Sequence, residues 1–295
     1  VNPTMVTYID GYFVAINGTM SYWVSDLYNG LSWNALATSP VSNYPDNVQA
    51  VTKLHMQLWL IKEYNSEVWY NAGTPTSQGS PFLRMSGAVI DYGTKAPATV
   101  AQGSNGLFFL AWERVNDGGE IIGVVQMNGY APVKISTQAI DYRISQLKGA
   151  STGHTDAFGY CYIDEGHEFY LITFPTGDAT FAYDPTTQMW HERSTWRWTL
   201  PVGYSFALDD GISLPPAVPV VSAATASIYD VHRHVSNCYA FFAGKHLVGD
   251  WQSGNVYEMS AAYFHDNGLD IVSVRVAQHI SDKKELGNVM IHKLQ

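Results

Sequence analysis

The sequence predicts an all-β fold, a β-propeller built from four-stranded blades, with about five blade-like units in this chain. The first observation is a pattern of four short runs rich in Val, Ile, Phe, Tyr and Trp, which comes round five times. The second is the spacing of these groups. The third is a composition of 14% aromatic and only 14% charged residues, which is typical of strand-rich proteins. Four short strands per unit, repeated around an axis, form a propeller because one unit cannot bury both of its faces alone.

The runs follow one another with the spacing of propeller blades. In the first unit they cover residues 6–9, 12–16, 21–24 and 31–34; later units carry 57–63 and 67–73, then 107–113 and 121–129, then 159–163, 168–174, 180–184 and 189–193, then 237–242, 245–250 and 255–260. The second run starts at residues 12, 57, 107, 168 and 245, so the intervals are 45, 50, 61 and 77. The first two fit a blade of about 40–50 residues, and the others require insertions. A β-sandwich or a barrel is the alternative fold.

Aromatic residues recur at corresponding places, and we expect them to anchor the blades. Trp23, Trp69, Phe181 and Tyr257 lie 11, 12, 13 and 12 residues after the second run of their units begins. In the third unit the corresponding residue is Val125, 18 residues after that start, because 116–119 lengthens the hairpin. Trp190 follows a turn at Asp184-Pro185 and is expected to anchor an outer strand. Trp23 and Trp69 should therefore be equivalent and largely buried.

We divide the chain into propeller blades over residues 1–260, with an insertion at 194–236, and a strand-rich extension over 261–295. The insertion is rich in proline and is expected to contact a partner through Trp196, Trp198 and Leu214. The spacing of apolar residues over 140–147 predicts a short connecting helix. The chain begins with Val in strand-like sequence and stops in a strand, which suggests a fragment or a processed product.

The charge and cysteine content restrict the classes of function. The net charge is −10, and Lys and Arg form no run or stripe, which argues against a protein that grips nucleic acid phosphates. A protein through which DNA passes without sequence-specific binding stays compatible with this charge. No apolar run approaches a membrane span, so no membrane contact is expected. Cys161 and Cys238 occupy matching first runs and are expected to be buried reduced thiols, with a disulfide as the alternative.

The sequence contains no convincing catalytic or metal-binding motif, so we expect neither enzyme activity nor a cofactor. His232 and His234 would share one face of a strand, but two ligands are too few for a metal site. Asp209-Asp210 beside glycine is read as a turn. There is no nucleophile elbow, no P-loop and no dinucleotide fingerprint.

Several segments together resemble one family. They are YIDGYFVAINGT at 8–19, SYWVSDLYNGLSWNAL at 21–36, LWLIKEYNSEVWYNAG at 58–73, GAVIDYGTKAPATVA at 87–101, MNGYAPVKISTQAID at 127–141, YDPTTQMWHER at 183–193 and GKHLVGDWQSGNVYEM at 244–259. In this order they resemble the packaged-DNA stabilisation proteins of short-tailed bacteriophages, from about Tyr8 to Leu294. Family members are longer at both ends, and Thr99 stands where Ser is expected.

The resemblance implies a virion structural protein: a tail hub, or plug, that attaches below the portal and its adaptor after DNA is packaged. It implies a hexameric ring that also meets tail needle or nozzle proteins, in a tail assembled in the host cytoplasm. It implies no catalytic residues. The alternatives are a carbohydrate-binding, lectin-like propeller and a propeller glycosidase. A lectin should repeat one polar site with Trp in every unit, and a glycosidase needs converging carboxylates, which Asp10 and Asp164 do not establish.

Overall fold

The computed structural model describes residues 2–41, 44–104, 106–115, 118–198, 229–266 and 268–271. Within these ranges the chain is mostly β, and four of its sheets contain four strands each, in sequence order and antiparallel. The predicted all-β class with four-stranded, blade-like sheets is confirmed. The described strands do not close a ring.

We number the blades in chain order. Blade 1 contains β1 (Met5–Ile9), β2 (Tyr12–Ile16), β3 (Ser21–Val24) and β4 (Thr38–Pro40); blade 2 contains β5 (Val48–Leu54), β6 (Gln57–Lys62), β7 (Ser66–Asn71) and β8 (Phe82–Ile90). Blade 3 contains β9 (Ala101–Gln102), β10 (Leu107–Val115), β11 (Gly118–Asn128) and β12 (Ala131–Lys134); blade 4 contains β13 (Phe158–Asp164), β14 (His167–Phe174), β15 (Ala179–Asp184) and β16 (Met189–Glu192). A separate pair, β17 (Ser194–Trp198) and β18 (Tyr229–Arg233), precedes blade 5, which contains β19 (Ser236–Phe242), β20 (Lys245–Asp250) and β21 (Val256–Met259). A last pair is β22 (His265–Asp266) and β23 (Leu269–Asp270).

Tight turns join the first two strands of four blades. Both turn residues have positive φ in Asp10-Gly11, His55-Met56, Glu165-Gly166 and Ala243-Gly244. Two-residue turns of this kind match the right-handed twist of the strands that they connect, so they fix the hairpin register. Three of the four use glycine at the second position, where glycine has no steric cost.

Neighbouring blades pack face to face through apolar side chains. Val14 and Tyr22 of blade 1 meet Leu60 and Trp69 of blade 2 in one core cluster. The same arrangement joins blade 2 to blade 3, blade 3 to blade 4, and blade 4 to blade 5. Since strand residues alternate between faces, an inner blade must be apolar on both. This explains continuous apolar runs such as β6.

The first strands of the blades lie nearest to one another. β1 contacts β5, and β9 contacts β13, so in these pairs of blades the first strands form the inner edge, where neighbouring blades approach each other. Consecutive strands are antiparallel, so the turns between strands one and two and between strands three and four share one end of every blade. We call this the upper end.

The structure confirms most of the predicted strands and corrects one. The predicted helix is present as α1 (Gln138–Gln146), between β12 and β13, with the Thr137 side chain as its N-cap. The fourth run of unit 1, residues 31–34, is wrong as a strand: it lies in a loop, and the fourth strand is β4. Asn29-Gly30 and Asn34 favour turns over strand pairing there.

The structure also locates the ends of the insertion and the two cysteines. The two ends of segment 194–236 pair with each other as β17 and β18, outside the blades; residues 199–228 lie outside the described ranges. Cys161 is half-buried and Cys238 is exposed, and both are free thiols. The expected burial of Cys238 is therefore wrong, because no described element covers its face of blade 5.

Candidate interaction surface

The third-run residues that we aligned from the sequence share one orientation. Trp69 packs toward blade 1, Val125 toward blade 2 and Phe181 toward blade 3. Each therefore lies on the face that meets the preceding blade. Trp23 alternates with Tyr22 and so lies on the corresponding face of blade 1.

Trp23 and Trp69 nevertheless differ in burial. Trp69 is 6% exposed, and its ring meets Tyr22 edge-on with centroids 5.3 Å apart. Trp23 is only half-buried, because no described blade precedes blade 1. Their positions along the hairpin also differ: Trp23 pairs with Ala15, whereas Trp69 pairs with Leu58. Tyr22 is the aromatic side chain of β3 that enters the core.

The other two expected anchors lie on outer and terminal strands. Trp190 lies in β16, where its Nε1 donates to the Ile135 carbonyl oxygen at 2.9 Å and its ring lies 5.1 Å from that of Tyr183. Tyr257 lies in β21 and is half-buried, and its hydroxyl accepts a hydrogen bond from Asn255 Nδ2 at 3.1 Å. Trp190 thus ties the outer strand of blade 4 to the segment after β12.

The expected partner-contact residues belong to the insertion. Trp196 and Trp198 lie in β17, where they pair with Val231 and Tyr229 through the backbone. Leu214 lies outside the described residues. Their role in partner contact stays a prediction.

A different apolar surface is visible at the upper end of the blades. Large hydrophobic side chains exposed there include Leu27, Tyr28, Leu31, Trp33, Leu36, Met56, Tyr130, Ile163, Phe241 and Phe242. The densest group belongs to one loop of blade 1, residues 25–37, between β3 and β4. We call it the Asp26 loop.

The carboxylate of Asp26 holds this loop together. Its Oδ2 accepts a hydrogen bond from Ser32 Oγ at 2.5 Å, and its Oδ1 accepts one from Thr76 Oγ1 of blade 2 at 2.7 Å. These two hydroxyls hold the pKa of Asp26 below its usual range. The Asp26 N–H donates to the Ser32 carbonyl oxygen at 2.8 Å, which closes the loop. The Asp26 side chain therefore links both sides of the loop to the neighbouring blade.

Two glycines allow the loop to pack closely against the first hairpin. A Cβ added to Gly11 would lie 2.8 Å from Leu27 Cδ1 and 2.9 Å from the Tyr28 ring, and one added to Gly30 would lie 2.9 Å from Phe13. The Tyr28 N–H also donates to the Gly11 carbonyl oxygen at 2.7 Å. The loop is thus packed and hydrogen-bonded on its inner side.

The outer side of the same loop carries apolar side chains that are exposed to solvent. Leu31 is 97% exposed, Tyr28 78% and Leu36 63%. Trp33 is 42% exposed, and its Nε1 already donates to the Gly30 carbonyl oxygen at 2.8 Å. Braced loops that present bare apolar side chains are typical of protein contact surfaces.

An open cavity of about 550 Å³ lies between the inner strands of blades 3, 4 and 5. Its walls include Tyr162, Tyr239 and Phe241, with one carboxylate, Glu168. Glu168 Oε1 accepts a hydrogen bond from the Ser104 N–H at 2.6 Å, so this carboxylate already has a backbone partner. The cavity joins different residues from each blade and does not repeat one site.

The histidines and the aspartate singled out from the sequence make hydrogen bonds to neighbouring side chains. His232 Nδ1 lies 2.9 Å from Asp178 Oδ2, and His234 Nδ1 lies 2.8 Å from Ser236 Oγ. In the described ranges, no group of three or more His, Cys, Asp and Glu side chains is placed to hold a metal ion. Asp10 accepts a hydrogen bond from Asn71 Nδ2 at 3.2 Å. No helix within the described part of the chain has the length and apolar character to cross a membrane.

Sequence reasoning assigned part of the Asp26 loop to a strand and so missed it as a surface. The available signal was the clustering of turn residues around apolar ones in SDLYNGLSWNAL. Asp26, Asn29 and Asn34 all accept hydrogen bonds within or near the loop, as Asp and Asn in turns commonly do.

A comparison with protein-family models gives one match. The model is described as phage stabilisation, bacteriophage P22 Gp10, β-propeller, and it matches residues 2–208, more than two thirds of the chain. The match spans blades 1 to 4. No curated protein matches the chain.

Proposed function

The chain belongs to the phage stabilisation family of β-propellers, and from this premise we propose that it is a tail hub, or plug, which attaches below the portal-adaptor complex. It is a structural phage protein, and in this role it helps to retain the packaged genome. The observation that carries the proposal is the family match over residues 2–208, together with the blade-like sheets in the same range.

The proposed assembly is a homo-oligomeric ring, a hexamer, in the tail of the virion. It would form in the host cytoplasm and meet the portal adaptor on one side and needle or nozzle proteins on the other. The exposed apolar side chains grouped on the Asp26 loop support such contacts, since exposed apolar patches mark interaction sites. Genomic DNA would pass without sequence-specific binding, which the net charge of −10 supports.

We propose no enzyme activity, cofactor or metal for this role. The carbohydrate-binding and glycosidase alternatives have less support. The aromatic-walled cavity between blades 3, 4 and 5 combines different residues from each blade, whereas a lectin propeller repeats its site. Its carboxylate is engaged by the Ser104 N–H.

The test removes the gene from the phage that carries it. Capsids from that infection should lose their DNA, measured as nuclease-sensitive DNA over time, and the purified full chain added in trans should restore retention. Capsids mixed with bovine serum albumin serve as the control. Gene-deleted capsids that keep their DNA would refute the proposed function.

A further inference from the structure

The Asp26 loop combines a fixed backbone with uncovered apolar side chains. Hydrogen bonds from Ser32 and Thr76 to Asp26 fix its inner side, while Leu31 and Tyr28 are 97% and 78% exposed. Exposed apolar residues are ordinary when scattered singly. Five on one braced loop are not scattered, because residues 26–36 hold Leu27, Tyr28, Leu31, Trp33 and Leu36 within eleven positions.

We propose that the Asp26 loop is a preformed docking element for another protein of the virion, one that offers a concave, uncharged apolar surface. This inference rests on the proposed function, because it names a contact surface of the same structural protein. Leu31 and Tyr28 would enter the partner surface, and Trp33 and Leu36 would flank them.

The charge of the loop selects the chemistry of its partner. Residues 26–36 contain no Lys or Arg, and their single charge, Asp26, is occupied by two hydroxyls. A nucleic acid contact needs clustered cations, which the loop lacks. Binding to an anionic lipid surface also depends on basic residues beside the apolar ones. An uncharged apolar protein surface requires neither clustered cations nor basic residues on the loop.

The shape of the loop indicates a concave partner. The near-complete exposure of Leu31 places it on the convex side of the loop, where no described part of the chain covers it. Convex apolar anchors bind in pockets, where they become fully desolvated. Bracing by Asp26 removes part of the ordering cost that a flexible loop would have on binding.

The test uses capsids purified from an infection that lacks the gene. Purified full-length wild type and the double variant Tyr28→Asn, Leu31→Ser are titrated onto these capsids, and the protein bound per capsid is measured. Asn tolerates the positive φ of position 28, and both side chains are exposed, so the double variant should keep the wild-type unfolding midpoint. The matched control is Tyr142→Ser, which removes a 66% exposed aromatic side chain from α1.

We expect the double variant to bind capsids roughly tenfold or more weakly, as the loss of hot-spot side chains implies. Tyr142→Ser should bind like the wild type. A second variant, Asp26→Ala, keeps every exposed apolar side chain but removes the bracing, and should bind several-fold more weakly.

Different failures have different meanings. Wild-type affinity of the folded double variant would overturn the docking role while leaving the proposed function intact. Wild-type affinity of Asp26→Ala would overturn the preformed character of the loop. If wild-type protein fails to bind the capsids at all, the proposed function fails and the inference with it. Loop-dependent sedimentation with phosphatidylcholine or phosphatidylglycerol vesicles, without capsid binding, would overturn a protein partner in favour of a membrane.

Discussion

Blade 2 and blade 5 contain corresponding strands that differ in burial. Five of the six residues of β6, the second strand of blade 2, are buried, whereas only Val248 of the six in β20, the second strand of blade 5, is buried. Blade 2 lies between blades 1 and 3, whereas blade 4 is the one described blade that packs against blade 5. Burial of a propeller strand therefore depends on whether a neighbouring blade covers each of its faces.

The largest expected effect contrasts one aromatic side chain in each blade, buried in blade 2 and exposed in blade 5. Trp59 is 1% exposed between blades 2 and 3, and Phe242 of blade 5 is 71% exposed. Trp59→Ala should lower the free energy of unfolding by about 4 kcal/mol through lost burial and a cavity. Phe242→Ala should change it by less than about 0.5 kcal/mol. Urea unfolding of both variants measures the difference, and equal losses would contradict the comparison.

A second contrast concerns one ion pair in each blade. Lys62 Nζ lies 3.1 Å from Glu67 Oε1 in blade 2, and both side chains are fully buried. Lys62→Met should cost about 3 kcal/mol, because it leaves a buried carboxylate without its cation. The double variant Lys62→Met, Glu67→Leu should recover most of that loss.

The matched control lies in blade 5. Lys245 and Glu258 form a pair of 2.6 Å on the surface, and Lys245→Met should leave the unfolding midpoint unchanged. If the double variant of blade 2 is no more stable than Lys62→Met alone, the cost of that substitution does not arise from an unpaired charge.

The strands could be predicted from sequence because their apolar runs and turns are local signals. Second runs starting at Tyr12 and Gln57 begin strands at those residues, and the helix before blade 4 is also found. The prediction that failed concerned side-chain burial, which depends on the neighbouring blades. Trp23 matches the face of Trp69 but lacks a preceding blade, so its burial could not be predicted from its own unit.

The interaction surface was harder to predict for a similar reason. An apolar run such as Leu31-Ser32-Trp33 fits a strand until tertiary contacts decide otherwise. Here the hydroxyl of Thr76, fifty residues further along the chain, helps Asp26 to hold the segment as a loop. Contacts of that separation leave no local signal in a single sequence.

The junction between blades 4 and 5 should respond to pH. The backbone N–H of His234 donates to Thr180 Oγ1 of blade 4 at 3.2 Å, and its ring Nδ1 lies 2.8 Å from Ser236 Oγ of blade 5. Burial lowers the pKa of His234 to about 4, and the charge of Arg193 adds to this effect. The unfolded chain binds a proton below about pH 6.5 and the folded chain does not, so stability falls between about pH 6.5 and 4.

The measurement compares wild type with His234→Asn, which keeps an acceptor near the position of Nδ1. Between pH 7 and pH 4.5 the wild type should lose about 2 kcal/mol more than the variant, after allowance for partial exposure of the ring. Other titrating groups are common to both proteins and cancel. Parallel pH profiles of unfolding free energy would show that His234 does not control this junction.

The smallest expected effect concerns the same turn in the two blades. Met56 of blade 2 holds φ of 60°, where Gly244 occupies the corresponding turn position in blade 5 with φ of 77°. A side chain at positive φ is strained, so Met56→Gly should raise the free energy of unfolding by about 0.5 kcal/mol after the entropy cost of glycine.

The reverse substitution completes the comparison. A Cβ at Gly244 would meet nothing within 4 Å, so Gly244→Met adds backbone strain without a clash. It should lower the free energy of unfolding by about 1 kcal/mol. Because no described blade covers the second face of blade 5, this loss should also appear as faster amide hydrogen exchange in β19 and β20, since local opening there needs less disrupted packing. If Gly244→Met is neutral while Met56→Gly stabilises, the two turns are not equivalent, and the alignment of blade 5 with blade 2 would need revision.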